Sequence, residues 1–106
     1  MPGVIINCYS KIGNMCLINT GSIIEHDNNF RNFSSAGPGV TTSGNVSVDE
    51  LSHLGTGSVV IHDIKIGKNT ILGANSLAIS NLKSNSVYVG SPAKIIKKRK
   101  IGLKYL

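Results

Sequence analysis

A chain of 106 residues has room for a single domain. With 41% hydrophobic residues but only 5% aromatics and no Trp, a conventional aromatic-filled core is excluded, no apolar run approaches the ~18 residues of a membrane span, and two cysteines make no disulfide framework. The net charge of +6 does not mark a nucleic-acid binder, because six of the positive charges (Lys94, Lys97, Lys98, Arg99, Lys100 and Lys104) crowd the last 13 residues and the remaining basic and acidic residues balance at five each.

From the start of the chain a six-residue beat dominates. The first position of each unit reads Ile6, Ile12, Ile18, Ile24, Phe30, Ala36, Thr42, Val48, Leu54, Val60, Ile66, Leu72 and Ala78, so 12 of 13 are apolar where composition alone would place about five. From Ile12 to Lys83 the beat runs without an insertion or deletion. Four residues after most first positions stands a small or compact side chain, as at Cys16, Ser22, Ser34, Ser52 and Ser58. The second position often holds Gly, at 13, 37, 55, 67 and 73. A period of six fits neither the 3.6 of a helix nor the 2 of a simple strand. Segments beginning at Asn19, Gly37, Gly55 and Gly73 also resemble one another at a spacing of 18. Three units per coil predict an all-β, triangular parallel solenoid with the first residue of each unit pointing inward and Gly and Asn at corners, where positive φ is tolerated. Handedness does not follow from the repeat.

Residues 1–11 already carry the beat at Ile6, so the first coil is expected to lack a cap. Residues 12–29 contain the first candidate site, Glu25-His26-Asp27-Asn28. His26 falls two positions after inward Ile24, at a corner, where either flanking acid is available to orient it. Gly44 follows by 18 residues, on the same corner one coil along, where its backbone N–H is placed to stabilise an oxyanion. His62 shares that corner a further coil away. His53 lies one residue before inward Leu54 and points out from a face. Beyond Lys83 the beat weakens and Pro92 ends it. A short basic helix or tail is expected from Lys94, with Ile95, Ile96, Ile101 and Leu103 against the solenoid end. The expected division is therefore a solenoid domain over 1–93 and a basic tail over 94–106. No basic-then-apolar leader opens the sequence, and a reducing cytoplasm is the expected location.

The ordered segments INTGSIIEHDN (18–28), AGPGVTTSGNVSV (36–48), SHLGTGSVVIHDIKIGKNTILGANSLA (52–78) and VYVGSPAKII (87–96) resemble the hexapeptide-repeat acyltransferases. The likeness is to the C-terminal half of the sialic acid O-acetyltransferases and UDP-4-amino-sugar N-acetyltransferases. That resemblance implies a left-handed parallel β-helix, a homotrimer, and acetyl-CoA as cosubstrate with no metal. It implies transfer of an acetyl group to an amino or hydroxyl group of a sugar, in surface polysaccharide or glycan synthesis, with no role for nucleic acid or membrane. By position His26 matches the family's general base with Asp27 following it, and Gly44 matches the oxyanion donor. Gly55, Thr56, Gly73, Ala74, Pro92, Ala93 and Lys94 match the stretch along which CoA lies. His53 lines the same cleft, and Ser35 stands where many relatives carry a second histidine. Full-length relatives also have an N-terminal α/β domain for the nucleotide sugar that has no counterpart here. The competing expectations are a non-catalytic solenoid serving assembly and, more remotely, a zinc-dependent hydratase on the same fold. For the latter, zinc needs a set of nitrogen ligands drawn together, His26 and His62 lie too far apart within one chain to supply it, and that family's paired histidines are missing.

Overall fold

A computed structural model describes residues 3–100 of the chain. Each six-residue unit folds into a two-residue strand followed by a four-residue corner, giving in chain order β1 (Ile5–Ile6), β2 (Lys11–Ile12), β3 (Leu17–Ile18), β4 (Ile23–Ile24), β5 (Asn29–Phe30), β6 (Ser35–Ala36), β7 (Thr41–Thr42), β8 (Ser47–Val48), β9 (His53–Leu54), β10 (Val59–Val60), β11 (Lys65–Ile66), β12 (Ile71–Leu72) and β13 (Leu77–Ala78). Every third strand pairs in parallel with its counterpart one coil on, so three faces form: β1-β4-β7-β10-β13, β2-β5-β8-β11 and β3-β6-β9-β12. Between these strands the register is 18 residues, as in Ile24↔Thr42, Phe30↔Val48 and Ala36↔Leu54. The chain is a left-handed parallel β-helix.

The second residue of each strand points into the prism. Ile24, Phe30, Ala36, Val48, Leu54, Val60, Leu72 and Ala78 are wholly buried and stack coil upon coil. Each large aliphatic side chain so placed contributes about 1.5–3 kcal/mol. The stack opens at the N-terminal end, where Ile6 is 45% exposed. The compact residues four positions on have a polar task as well as a steric one. Ser10, Ser22 and Thr70 donate side-chain hydrogen bonds of 2.7–2.9 Å to the corner carbonyls of Glu25, Gly37 and Lys83 in the following coil, and Ser52 does the same to Gly67. These carbonyls lie where the short strands end, and the interior hydroxyls satisfy them.

The corners divide the glycines into two kinds and correct one expectation. The left-handed conformation falls on the fourth position of the unit, at Tyr9, Met15, Gly21, Asp27, Phe33, Gly39, Asn45, Leu51, Gly57, Asp63, Asn69 and Asn75. The recurrent second-position glycines do not adopt it. They are required by close approach instead: a Cβ on Gly55 would stand 2.7 Å from the amide nitrogen of Ala74 and from the carbonyl oxygen of Leu72.

Two further corrections concern the C-terminal end. The six-residue beat loses two residues shortly after Ala78, because Ile66 bridges to Leu82 and Ile71 and Leu72 pair with Val87 and Tyr88, a register of 16 where earlier coils have 18. The segment expected to form a basic helix is extended. β14 (Ser86–Gly90) joins the third face beside β12, and β15 (Ala93–Lys98) turns back antiparallel to it. Ile95 and Ile96 are about half exposed on this strand, whereas Ile101 and Leu103 lie outside the described residues. Among the described residues no helix is long and apolar enough to cross a membrane.

Candidate active site

The corner between the first and second faces gathers Cys8, His26, Gly44 and His62 at the third position of successive coils, and Tyr9, Asp27, Asn45 and Asp63 at the fourth. Asp27 occupies the left-handed position, with φ 57°, a conformation that Asp tolerates better than most residues. Its carboxylate lies 3.0 Å from His26 Nδ1. A carboxylate only accepts, so Nδ1 carries the proton and the lone pair is left on Nε2. Of the two flanking acids it is therefore Asp27 that orients the ring. Glu25 is engaged elsewhere, accepting from Asn7 Nδ2 at 2.9 Å. Both His26 and Asp27 are more than half exposed, so the imidazole stands out from the prism and is open to a ligand.

Gly44 lies directly against that ring. A Cβ at residue 44 would sit 2.5 Å from His26 Nε2 and Cε1. The backbone pattern of the corner leaves the third-position amide out of the inter-coil ladder. Ser43 N–H donates to Val60 and Asn45 N–H to His26, while the Gly44 carbonyl accepts from Asp63. Where an amide at this position in another unit donates a hydrogen bond, the acceptor is a side chain, as when Lys68 N–H donates to Ser84 Oγ and Asn14 N–H to Asn32 Oδ1. The corner thus offers an outward-facing peptide donor beside an imidazole base, the pair of functions that acyl transfer requires.

The role of one residue of this corner, Asn28, was not legible in the sequence. Asn28, 1% exposed, sends its amide Nδ2 to three backbone carbonyls, those of Glu25 at 3.1 Å, His26 at 3.1 Å and Ser43 at 2.9 Å. Its own N–H donates to Ser10 Oγ at 3.1 Å. The available signal was an amide standing at a position that elsewhere holds Ser, Thr, Cys or an aliphatic residue.

The residues expected to line a cofactor cleft fall into three groups, none on the His26 corner. Gly55, Thr56, Gly73 and Ala74 form the corner between the third and first faces, and Pro92, Ala93 and Lys94 lie in and after the turn joining β14 to β15. Thr56 and Ala74 are exposed there. Ser35 and His53 are neighbours on the outer side of the third face, with Ser35 Oγ 2.7 Å from His53 Nδ1. Partial burial, and secondarily the positive charge of Arg99, hold the His53 imidazole below its ordinary pKa of 6.5. Within one chain, then, His26 and the residues expected to line a cofactor cleft lie on different vertices and faces of the prism. His62 is exposed, and its neighbour Asp63 accepts from Asn45 Nδ2 at 2.8 Å. Among the described residues no three His, Cys, Asp or Glu side chains converge as a metal-binding set would.

No family model matches the chain. Its sequence is 39% identical over 56 residues to the galactoside O-acetyltransferase of Lactococcus lactis, covering 53% of this chain and 26% of that protein. It is 33% identical over 87 residues to the serine acetyltransferase of Buchnera aphidicola, covering 79% of this chain and 33% of that one. The fold superposes with a TM-score of 0.91 at 38% identity on a GDP-perosamine N-acetyltransferase from Caulobacter crescentus, solved in complex with CoA and GDP-perosamine, across 92% of this chain and 47% of the other. The chain therefore spans about a quarter to a third of these curated relatives, and about half of the solved neighbour.

Proposed function

This chain belongs to the hexapeptide-repeat acyltransferases, and on that premise we propose that it transfers an acetyl group from acetyl-CoA to an amino or hydroxyl group of a sugar. A nucleotide-activated sugar is the acceptor favoured by the C. crescentus neighbour, whose complex contains CoA and GDP-perosamine. The setting proposed is surface polysaccharide or glycan synthesis in the cytoplasm.

In this reading His26 Nε2 removes the proton from the acceptor nitrogen or oxygen as that atom attacks the thioester carbonyl. Asp27 holds the opposite ring nitrogen and balances the charge that the imidazole gains. The Gly44 N–H receives the oxyanion of the tetrahedral intermediate. When the intermediate collapses the carbon–sulfur bond breaks, and the CoA thiolate leaves and takes up a proton. Neither cysteine takes part and no acyl-enzyme forms. The cofactor-type residues (Ser35, His53, Gly55, Thr56, Gly73, Ala74, Pro92, Ala93 and Lys94) lie on other vertices and faces of the prism, so the complete site is assigned to the groove between two copies. One copy supplies His26 and Gly44 and its neighbour supplies the CoA-binding surface, in a homotrimer.

The observation that carries the reading is the packing of the His26 ring on Gly44 with Asp27 on Nδ1. The test is CoA release from acetyl-CoA with GDP-perosamine, and separately a galactoside, as acceptor. General-base loss in His26→Ala should lower turnover by about 100-fold or more. Unchanged turnover in that variant overturns the assignment of His26. A wild-type chain that neither turns over nor binds acetyl-CoA in calorimetry leaves the non-catalytic solenoid in its place.

A further inference from the structure

The interior side chains of this solenoid aim the outward amides of its corners, and at one corner the device has been enlarged. A trans peptide holds its C=O and N–H antiparallel. Whatever grips a corner carbonyl from inside the prism therefore fixes the direction in which the next residue's N–H points out of it. Ser52 Oγ grips the Gly67 carbonyl in this way, and the N–H of that peptide, on Lys68, points out to Ser84 Oγ at 3.0 Å.

Asn28 grips the carbonyl of Ser43 at 2.9 Å. The N–H of that peptide belongs to Gly44. The same Nδ2 reaches the carbonyl of Glu25 at 3.1 Å, and the N–H of that peptide belongs to His26. It also reaches the His26 carbonyl at 3.1 Å. One buried amide thus clamps the peptide planes on both sides of His26 and the plane that presents the Gly44 N–H. Serines at this position elsewhere in the chain make at most a single carbonyl bond, as Ser22 does to Gly37. Along this corner the series runs Ser10, Asn28, Val46, Ile64, so the polar brace is confined to the coils around His26 and gives way to aliphatic side chains beyond Gly44. The orientation of the Asn28 amide is fixed by its surroundings: turning it over would bring Oδ1 against three carbonyl oxygens. As it stands, Oδ1 is buried without a hydrogen-bond partner among the described residues, an arrangement costly enough to need a compensating role.

We propose that Asn28 is a positioning residue that sets the direction and strengthens the donor character of the Gly44 N–H, and holds the His26 backbone in register with it. Hydrogen bonding to the carbonyl of a peptide polarises its N–H, so the Ser43–Gly44 unit becomes a better oxyanion donor as well as a better aimed one. The catalytic half of this inference rests on the acetyl-transfer reading; the structural half does not.

The test compares Asn28→Val with Asn28→Ser. Valine occupies the equivalent position one coil on, at Val46, where it is buried in the core, so the valine variant should fold. It abolishes the grip on Ser43, and kcat is expected to fall by about 10- to 100-fold with KM for acetyl-CoA unchanged, less than the ~10²–10³ seen when an oxyanion donor is removed outright. Serine restores one carbonyl bond and should recover most of the lost kcat. Independently of any turnover, the Gly44 amide resonance in a ¹H–¹⁵N spectrum should shift in Asn28→Val and return toward the wild-type position in Asn28→Ser. A kcat within twofold of wild type in Asn28→Val, or a Gly44 amide that does not move, overturns the proposal. A moved amide in a chain with no acetyl transfer at all upholds the orienting role and removes the acetyl-transfer reading instead.

Discussion

The imidazole of His26 rests on the α-carbon of Gly44 so closely that a methyl group there would come within 2.5 Å of Nε2. Gly44 does not have positive φ, so alanine suits the backbone and the collision with the ring is the whole effect. The ring is the mobile partner, being exposed and, among the described residues, hydrogen-bonded through Asp27. Gly44→Ala should therefore fold with a wild-type melting temperature while displacing Nε2 by an ångström or more. A misplacement of that size costs about 100-fold in rate. Steady-state turnover together with a melting curve checks this, and undiminished turnover would mean that Nε2 is not the working atom.

His53 is expected to make stability depend on pH in a defined direction. Its folded-state pKa is depressed, first by burial and then by Arg99, so below the ordinary value of 6.5 the unfolded chain binds the proton more readily than the folded one. The contribution is constant above that value and is lost progressively as pH falls from 6.5 toward the folded pKa. Denaturant midpoints should decline across that window in the wild type. In His53→Gln, which keeps a hydrogen-bonding group beside Ser35 but cannot titrate, that share of the decline should disappear. An identical slope in both proteins would assign the acid sensitivity to other groups.

Much of this architecture is written in the repeat, and what is not has identifiable causes. The 18-residue coil, the inward residues from Ile18 to Ala78 and the shared corner of His26 and Gly44 all follow from counting, because a parallel ladder with a fixed register converts spacing directly into position. The two residues lost after Ala78 were invisible, since a shortened corner leaves no mark until the pairing of Ile66 with Leu82 is known. The helix expected from Lys94 failed because the open edge of β14 offers Ala93–Lys98 a ladder of backbone bonds, and the β-branched pair Ile95–Ile96 suits a strand. The second-position glycines looked like turn residues, and only the proximity of the next coil shows them to be contact residues. The role of Asn28 was not legible because it depends on joining two nearby carbonyls, those of Glu25 and His26, to that of Ser43 one coil on, which no local pattern encodes.

Thr42 is the one polar residue among the stacked first positions, and it gains nothing from its hydroxyl. It is fully buried between Ile24 and Val60, and its Oγ1 has no hydrogen-bond partner among the described residues. Valine has the same shape without the orphaned oxygen. Thr42→Val should raise stability by about 1 kcal/mol, seen as a higher denaturant midpoint at unchanged m-value. A lower midpoint would show that the hydroxyl has a partner, such as an internal water, whose bonds outweigh its burial.

The two kinds of glycine are separable by a pair of alanine substitutions. Gly21 has φ +73° and nothing within 4 Å of the space a Cβ would fill, so Gly21→Ala meets only the backbone strain of a left-handed residue, ~1–2 kcal/mol. The chain already bears that strain at Tyr9, Met15, Phe33 and Leu51. Gly55 has the reverse problem: no positive φ, but the backbone of the next coil 2.7–2.8 Å away at Leu72, Gly73 and Ala74. Backbone cannot rotate aside as a side chain does, so Gly55→Ala must pry two coils apart and weaken the Gly55 N–H bond to Leu72, now 2.7 Å. Its cost should reach the ~1–3 kcal/mol range of overpacking or beyond and exceed that of Gly21→Ala. Gly55→Ala should also disturb the exposed corner formed with Thr56 and Ala74, so acetyl-CoA affinity should fall in this variant and hold in Gly21→Ala. Chemical denaturation paired with calorimetry reads both effects. Equal costs and equal affinities would show that the coils yield freely at this corner and that Gly55 is conserving nothing by its lack of a side chain.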